Sequence, residues 1–90
     1  MPFDPALPRT FNAISIRAYA PTASGVYGLS NARAWLLIGE TDNIQAALLE
    51  HLRDSRDQAT GFCCETHPAN GRTRRQEQLV QEYHPEGNRR

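Results

Sequence analysis

The side chains of this chain best equipped to hold a ligand are its arginines near the C-terminal end, Arg72, Arg74, Arg75, Arg89 and Arg90. A guanidinium offers a rigid fork of donors that matches phosphate oxygens, so Arg72, Arg74 and Arg75 are candidate nucleic-acid contacts. Glu65, Glu77, Glu82 and Glu86 dilute that patch, and a solvated helix start is the competing reading. Cys63, Cys64 and His67 raise the question of zinc. Structural zinc takes four ligands with spacings such as C-x₂₋₄-C, and neighbouring cysteines on a strand point to opposite faces, so ordinary thiols are the better reading. His51, at the end of an apolar-striped segment, reads either as a helix-face histidine with a satisfied hydrogen bond or as a proton shuttle. Tyr27, in Gly25-Val26-Tyr27, is open to the same two readings, sheet-face tyrosine or functional phenol.

Composition narrows the classes. The 90 residues suit one small domain with one modest core. Ten basic residues, all arginine, balance ten acidic ones to a formal net charge of zero, unlike the basic excess of a dedicated nucleic-acid binder. An internal disulfide between the adjacent Cys63 and Cys64 would be strained, so both are expected as reduced thiols in a reducing compartment. Met1-Pro2-Phe3-Asp4-Pro5 has neither the basic nor the apolar region of a signal peptide, and no apolar run reaches the roughly 18–20 residues that span a bilayer. The expectation is a cytoplasmic chain that does not enter membranes.

Residues 1–20 are expected to form an N-terminal arm, in part extended, with three prolines before Arg9 and a weak alternation from Phe11 to Ala20 suggesting an added edge strand. Residues 21–90 are expected to form the domain proper. Ser24 to Leu29 reads as a strand with Val26 and Gly28 on one face and Tyr27 and Leu29 on the other. Ser30 to Arg33 is turn-like, and the apolar run Ala34 to Ile38 reads as a central strand covered on both faces. Thr41 or Asp42 is the expected N-cap of a helix striped by Ile44, Ala47, Leu48 and Leu52. Phe62, Cys64 and Thr66 alternate with Cys63 and Glu65 as a third strand. A second helix runs from Arg72 to Tyr83, with Gln76, Leu79, Val80 and Tyr83 inward, and Pro85 ends it. The periodicities alone predict an α+β fold, a three-stranded, mostly antiparallel sheet covered by helices in the order strand, strand, helix, strand, helix.

With Gly25-Val26-Tyr27, Leu37-Ile38-Gly39, the helix ending in Glu50-His51 and the terminal run Leu79-Val80-Gln81-Glu82-Tyr83-His84-Pro85 with Asn88, the chain resembles the GIY-YIG nuclease family from about Pro21 to Asn88. The resemblance implies metal-assisted phosphodiester hydrolysis in active members. A tyrosine of the first signature helps to activate water, an arginine on the first helix stabilises the phosphoanion, and a glutamate on the second holds a divalent cation. Tyr27 matches that tyrosine, and His51 and Asn88 match family positions. Leu37 stands in place of the second signature's tyrosine, Ala47 in place of the arginine and Gln76 in place of the glutamate. Glu77 is the neighbouring carboxylate, about 100° around the helix.

The resemblance therefore implies a GIY-YIG nuclease-like domain with impaired catalysis, kept as a scaffold for binding DNA, RNA or another protein, and needing no cofactor. An alternative is an active Mg²⁺-dependent endonuclease with relocated groups, in which Tyr27, His51, Glu77 and Asn88 are catalytic and Glu77 binds the metal. A second alternative is a protein-interaction module without nucleic-acid affinity.

Overall fold

The computed structural model describes residues 2–3, 7–54 and 59–85. Its elements are β1 (Arg9–Thr10), α1 (Ala13–Tyr19), β2 (Gly25–Ser30), β3 (Trp35–Thr41), α2 (Ile44–Asp54), β4 (Gly61–Thr66) and α3 (Ala69–Tyr83). They form an α+β fold with a four-stranded antiparallel sheet in the order β1-β4-β2-β3. The expected order from Ser24 to Tyr83 holds, and β1 adds a short fourth strand at the edge.

The predicted alternation along β2 is what divides the core. Tyr27 and Leu29 pack on one face with Phe62, Ile16, Ala20, Ile44 and Leu48. Val26 faces the other way with Ile38, Cys63, Leu79 and Phe3. Helices α1 and α2 thus cover one face and α3 the other, and every residue of β2 is buried. The central strand is therefore β2, and β3 lies at an edge, contrary to the expectation for Ala34 to Ile38. The apolar run there reflects helices on both faces, which demand apolar side chains on both sides even of an edge strand.

Residues 11–20 also differ from their expected extended form. Asn12 Oδ1 accepts a hydrogen bond from the Ser15 N–H at 2.8 Å and caps α1, whose Ile16 is buried, as is Ala20 at its C-cap. Asparagine at an N-cap and apolar residues four apart are helical signals, and they outweigh the loose alternation read between Phe11 and Ala18. Within the segment expected as a partly extended arm, Arg9–Thr10 is the strand, and Phe3 is buried in the core.

Two helix starts also shift. Asn43, rather than Thr41 or Asp42, caps α2, its Oδ1 accepting from the Ala46 N–H at 3.0 Å, while Thr41 Oγ1 accepts from the Asn43 N–H at 3.1 Å. The Ile44 and Gln45 N–H groups donate to the Ala23 and Pro21 carbonyls, which ties the start of α2 to the loop before β2. Helix α3 begins at Ala69, three residues before Arg72, because the Gly71 and Arg72 N–H groups both donate to the Pro68 carbonyl. Asn70-Gly71, a turn signal in isolation, is its first turn. At the other end His84 adopts the left-handed conformation, φ 51°, and closes on the Val80 carbonyl before the buried Pro85. Among the described residues no helix is long and apolar enough to cross a membrane.

Candidate functional site

Tyr27 and His51 come together where β2 passes under α2. The Tyr27 hydroxyl and His51 Nε2 are 3.0 Å apart, with the rings tilted at 52°. Gly39, opposite Tyr27 in the β2–β3 register, makes room for the phenol, since a Cβ there would lie 2.7 Å from the hydroxyl oxygen. A cleft of about 650 Å³ opens beside the pair, lined by Tyr27, Ala47, Glu50, His51, Arg53 and Asp54. Ala47, Glu50, His51 and Asp54 recur at helical spacing, so burial of Ile44 and Leu48 turns this flank of α2 toward the cleft. A phenol bonded to an imidazole can relay a proton, in a direction set by the imidazole tautomer.

The remaining sequence candidates lie elsewhere. Helix α3 packs on the sheet face opposite Tyr27. From it, the Gln76 amide donates to the Ile38 carbonyl at 3.4 Å, and Glu77 is exposed and does not line the cleft. Asn88 lies outside the described residues, as do Arg89 and Arg90. Among the described residues no three or more His, Cys, Asp or Glu side chains gather as a metal would require. Among the described residues, an amide spent on a backbone carbonyl and an exposed carboxylate outside the cleft do not make a divalent-cation site of the kind the resemblance implies.

Arg72, Arg74 and Arg75 differ sharply in what they do. Arg72 Nε donates to Glu40 at 3.0 Å and its Nη1 to Ser24 at 3.1 Å. Arg75 forks onto both Glu65 oxygens, at 2.7 and 2.8 Å, with the two side chains only 12% and 10% exposed. That hydrogen bonding pushes the Arg75 guanidinium above its ordinary pKa. Arg74 is exposed and has no ion pair among the described residues. Neither Cys63 nor Cys64 is in a disulfide. Burial, aided by Cys64 next door, pushes Cys63 up to about 12, and burial likewise raises Cys64, so neither is a ready nucleophile. His67 hydrogen-bonds Glu65 at 2.8 Å.

Sequence reasoning missed Glu50 and Asp54 as cleft residues, whereas Arg53, a candidate stand-in for the guanidinium absent at Ala47, does line the cleft. The helical spacing of Glu50 and Asp54 from Ala47 was a usable signal once Ala47 had been assigned to the site.

No protein-family model matches this sequence, and no curated protein matches it either. The structure does have solved counterparts. It is similar to the GIY-YIG N-terminal endonuclease domain of UvrC from Thermotoga maritima in its magnesium-bound form, with a TM-score of 0.67 and 20% identity over 82% of this chain and 96% of that one. A point variant of the same domain, also bound to its catalytic divalent cation, gives a TM-score of 0.70 and 21% identity over 83% and 96%. At that identity the likeness is one of fold.

Proposed function

Starting from a chain that has the GIY-YIG fold, we propose that it is a nuclease-like domain with impaired catalysis that serves as a binding scaffold, with a nucleic-acid strand as its first candidate partner. The observation that carries this reading is Ala47 lining the cleft beside the Tyr27–His51 pair, where the resemblance calls for a guanidinium. Losing one preorganised donor to a developing oxyanion lowers rates by about 10²–10³. The Gln76 amide, tied to the Ile38 carbonyl, removes the ligand expected for the cation as well. The surviving phenol and imidazole retain the shape of a reactive site without a guanidinium at position 47 or a carboxylate at position 76.

A second reading, a working endonuclease with relocated groups, draws on Arg53. It lines the same cleft and has no ion pair among the described residues. Supercoiled plasmid incubated with the purified protein and Mg²⁺ or Mn²⁺ separates the two. No nicking above background is expected. Nicking that disappears in both Tyr27→Phe and Arg53→Ala would establish the second reading instead.

Binding to short DNA or RNA is expected at low salt, falling as salt rises. Arg74→Ala is expected to weaken it more than Arg75→Ala, because Arg75 is committed to Glu65. Absence of binding at low salt would leave a protein-interaction module as the reading.

A further inference from the structure

On the sheet face opposite the cleft, residues 2 and 3 are held much as a bound peptide would be. The Phe3 side chain is 2% exposed. Its ring stacks on Trp35 at 5.4 Å between centroids and on Tyr83 at 5.7 Å, and those two rings lie 4.4 Å from each other. Gly28 forms the floor, since a Cβ there would come within 2.8 Å of both the Phe3 and the Trp35 rings. The main chain is engaged too. The Phe3 N–H donates to the Tyr83 hydroxyl at 3.0 Å, and Arg75 Nη2 donates to the Pro2 carbonyl at 2.8 Å. Pro2 has no N–H, so its carbonyl is its one main-chain polar group, and that group is satisfied.

Each of these four partners also has contacts that do not involve residues 2 and 3. The Glu65 carboxylate orients Arg75 through two hydrogen bonds. Trp35 and Tyr83 pack on each other, and pairing with β3 and β4 fixes Gly28. A pocket for one ring together with hydrogen bonds to the main chain on either side of it is how extended peptides are recognised.

We propose that Gly28, Trp35, Tyr83 and Arg75 form a recognition slot for an extended Pro-Phe segment, occupied in cis by residues 2 and 3 of the same chain. The slot is independent of the Tyr27–His51 cleft and of the function proposed for it. A ligand tethered by its own backbone acts at an effective concentration of about a millimolar, so the cis segment excludes a dilute free peptide as long as its ring is present.

The test uses the full chain. Trp35 is its only tryptophan, so intrinsic fluorescence reports on the slot. Phe3→Ala is expected to shift Trp35 emission to longer wavelength. Adding the blocked tetrapeptide acetyl-Met-Pro-Phe-Asp-amide should restore the original emission saturably. The same peptide with alanine in place of phenylalanine should do nothing, and the unmodified protein should not respond. Adding Tyr83→Phe to the variant should weaken the peptide about two- to tenfold by removing the acceptor for its N–H. A folded Phe3→Ala variant whose emission ignores the peptide up to about ten millimolar, a concentration that would nearly fill even a millimolar site, overturns the proposal. Should circular dichroism show the variant unfolded, refolding by the peptide supports the slot, and failure to refold counts against it.

Discussion

At the residue scale the cleft is organised by one hydrogen bond and one glycine. The Tyr27 hydroxyl reaches His51 because Gly39 leaves space for the phenol, and a larger residue there would push the ring off its partner. Tyr27→Phe removes the hydroxyl and keeps the ring that packs with Leu29, Phe62 and Leu48. We expect it to cost about 1 kcal/mol, the net value of a single part-buried hydrogen bond, as measured by urea denaturation. A cost above about 3 kcal/mol would mean that the pair is a structural keystone of the core and not a pair poised at an accessible site.

At the element scale Glu65 joins β4 to α3. Its carboxylate takes the Arg75 fork and a His67 nitrogen, and Arg75 in turn holds the Pro2 carbonyl. With both charged side chains close to nine-tenths covered, breaking the pair from one side leaves a charge stranded. Glu65→Gln is therefore expected to destabilise the fold by about 3 kcal/mol in chemical denaturation. Replacing both partners together, Glu65→Leu with Arg75→Leu, should recover much of that loss because no unpaired charge remains. A loss below about 1 kcal/mol for Glu65→Gln would place the pair among ordinary surface bridges.

At the scale of the whole molecule the sheet is a partition between two half-cores, and β2 feeds both. Cys63 belongs to the half under α3, 4% exposed, and burial keeps its thiol neutral. Its pKa rises from 9.0 to about 12, so the folded chain keeps a proton that the unfolded chain releases earlier. The resulting stability is complete below pH 9 and is lost as pH climbs from 9 to about 12. Denaturation midpoints should fall across that window, and Cys63→Ala should flatten the decline. Identical slopes for the two proteins would show that other groups, tyrosines among them, carry the alkaline sensitivity.

Much of this molecule was written locally. Alternation along Gly25–Ser30 separated the two faces of β2, and the stripe of Ile44 and Leu48 specified which flank of α2 would be buried. The two signatures, at Gly25-Val26-Tyr27 and Leu37-Ile38-Gly39, marked out the fold. These are short-range properties of backbone geometry and side-chain period, readable wherever one face must be dry. Tertiary packing decided the rest, because it depends on which distant groups meet. It placed β2 rather than β3 at the centre, kept Glu77 away from Tyr27, and coiled residues 13–19 into a helix against α2. It also drew Arg75 out of the candidate phosphate patch and onto Glu65, and it turned Phe3 from a presumed tail residue into part of the core. Periodicity within a segment fixes which side chains share a face. Only the closure of that face against others, with every buried charge and ring seeking its own partner, determines what each one touches.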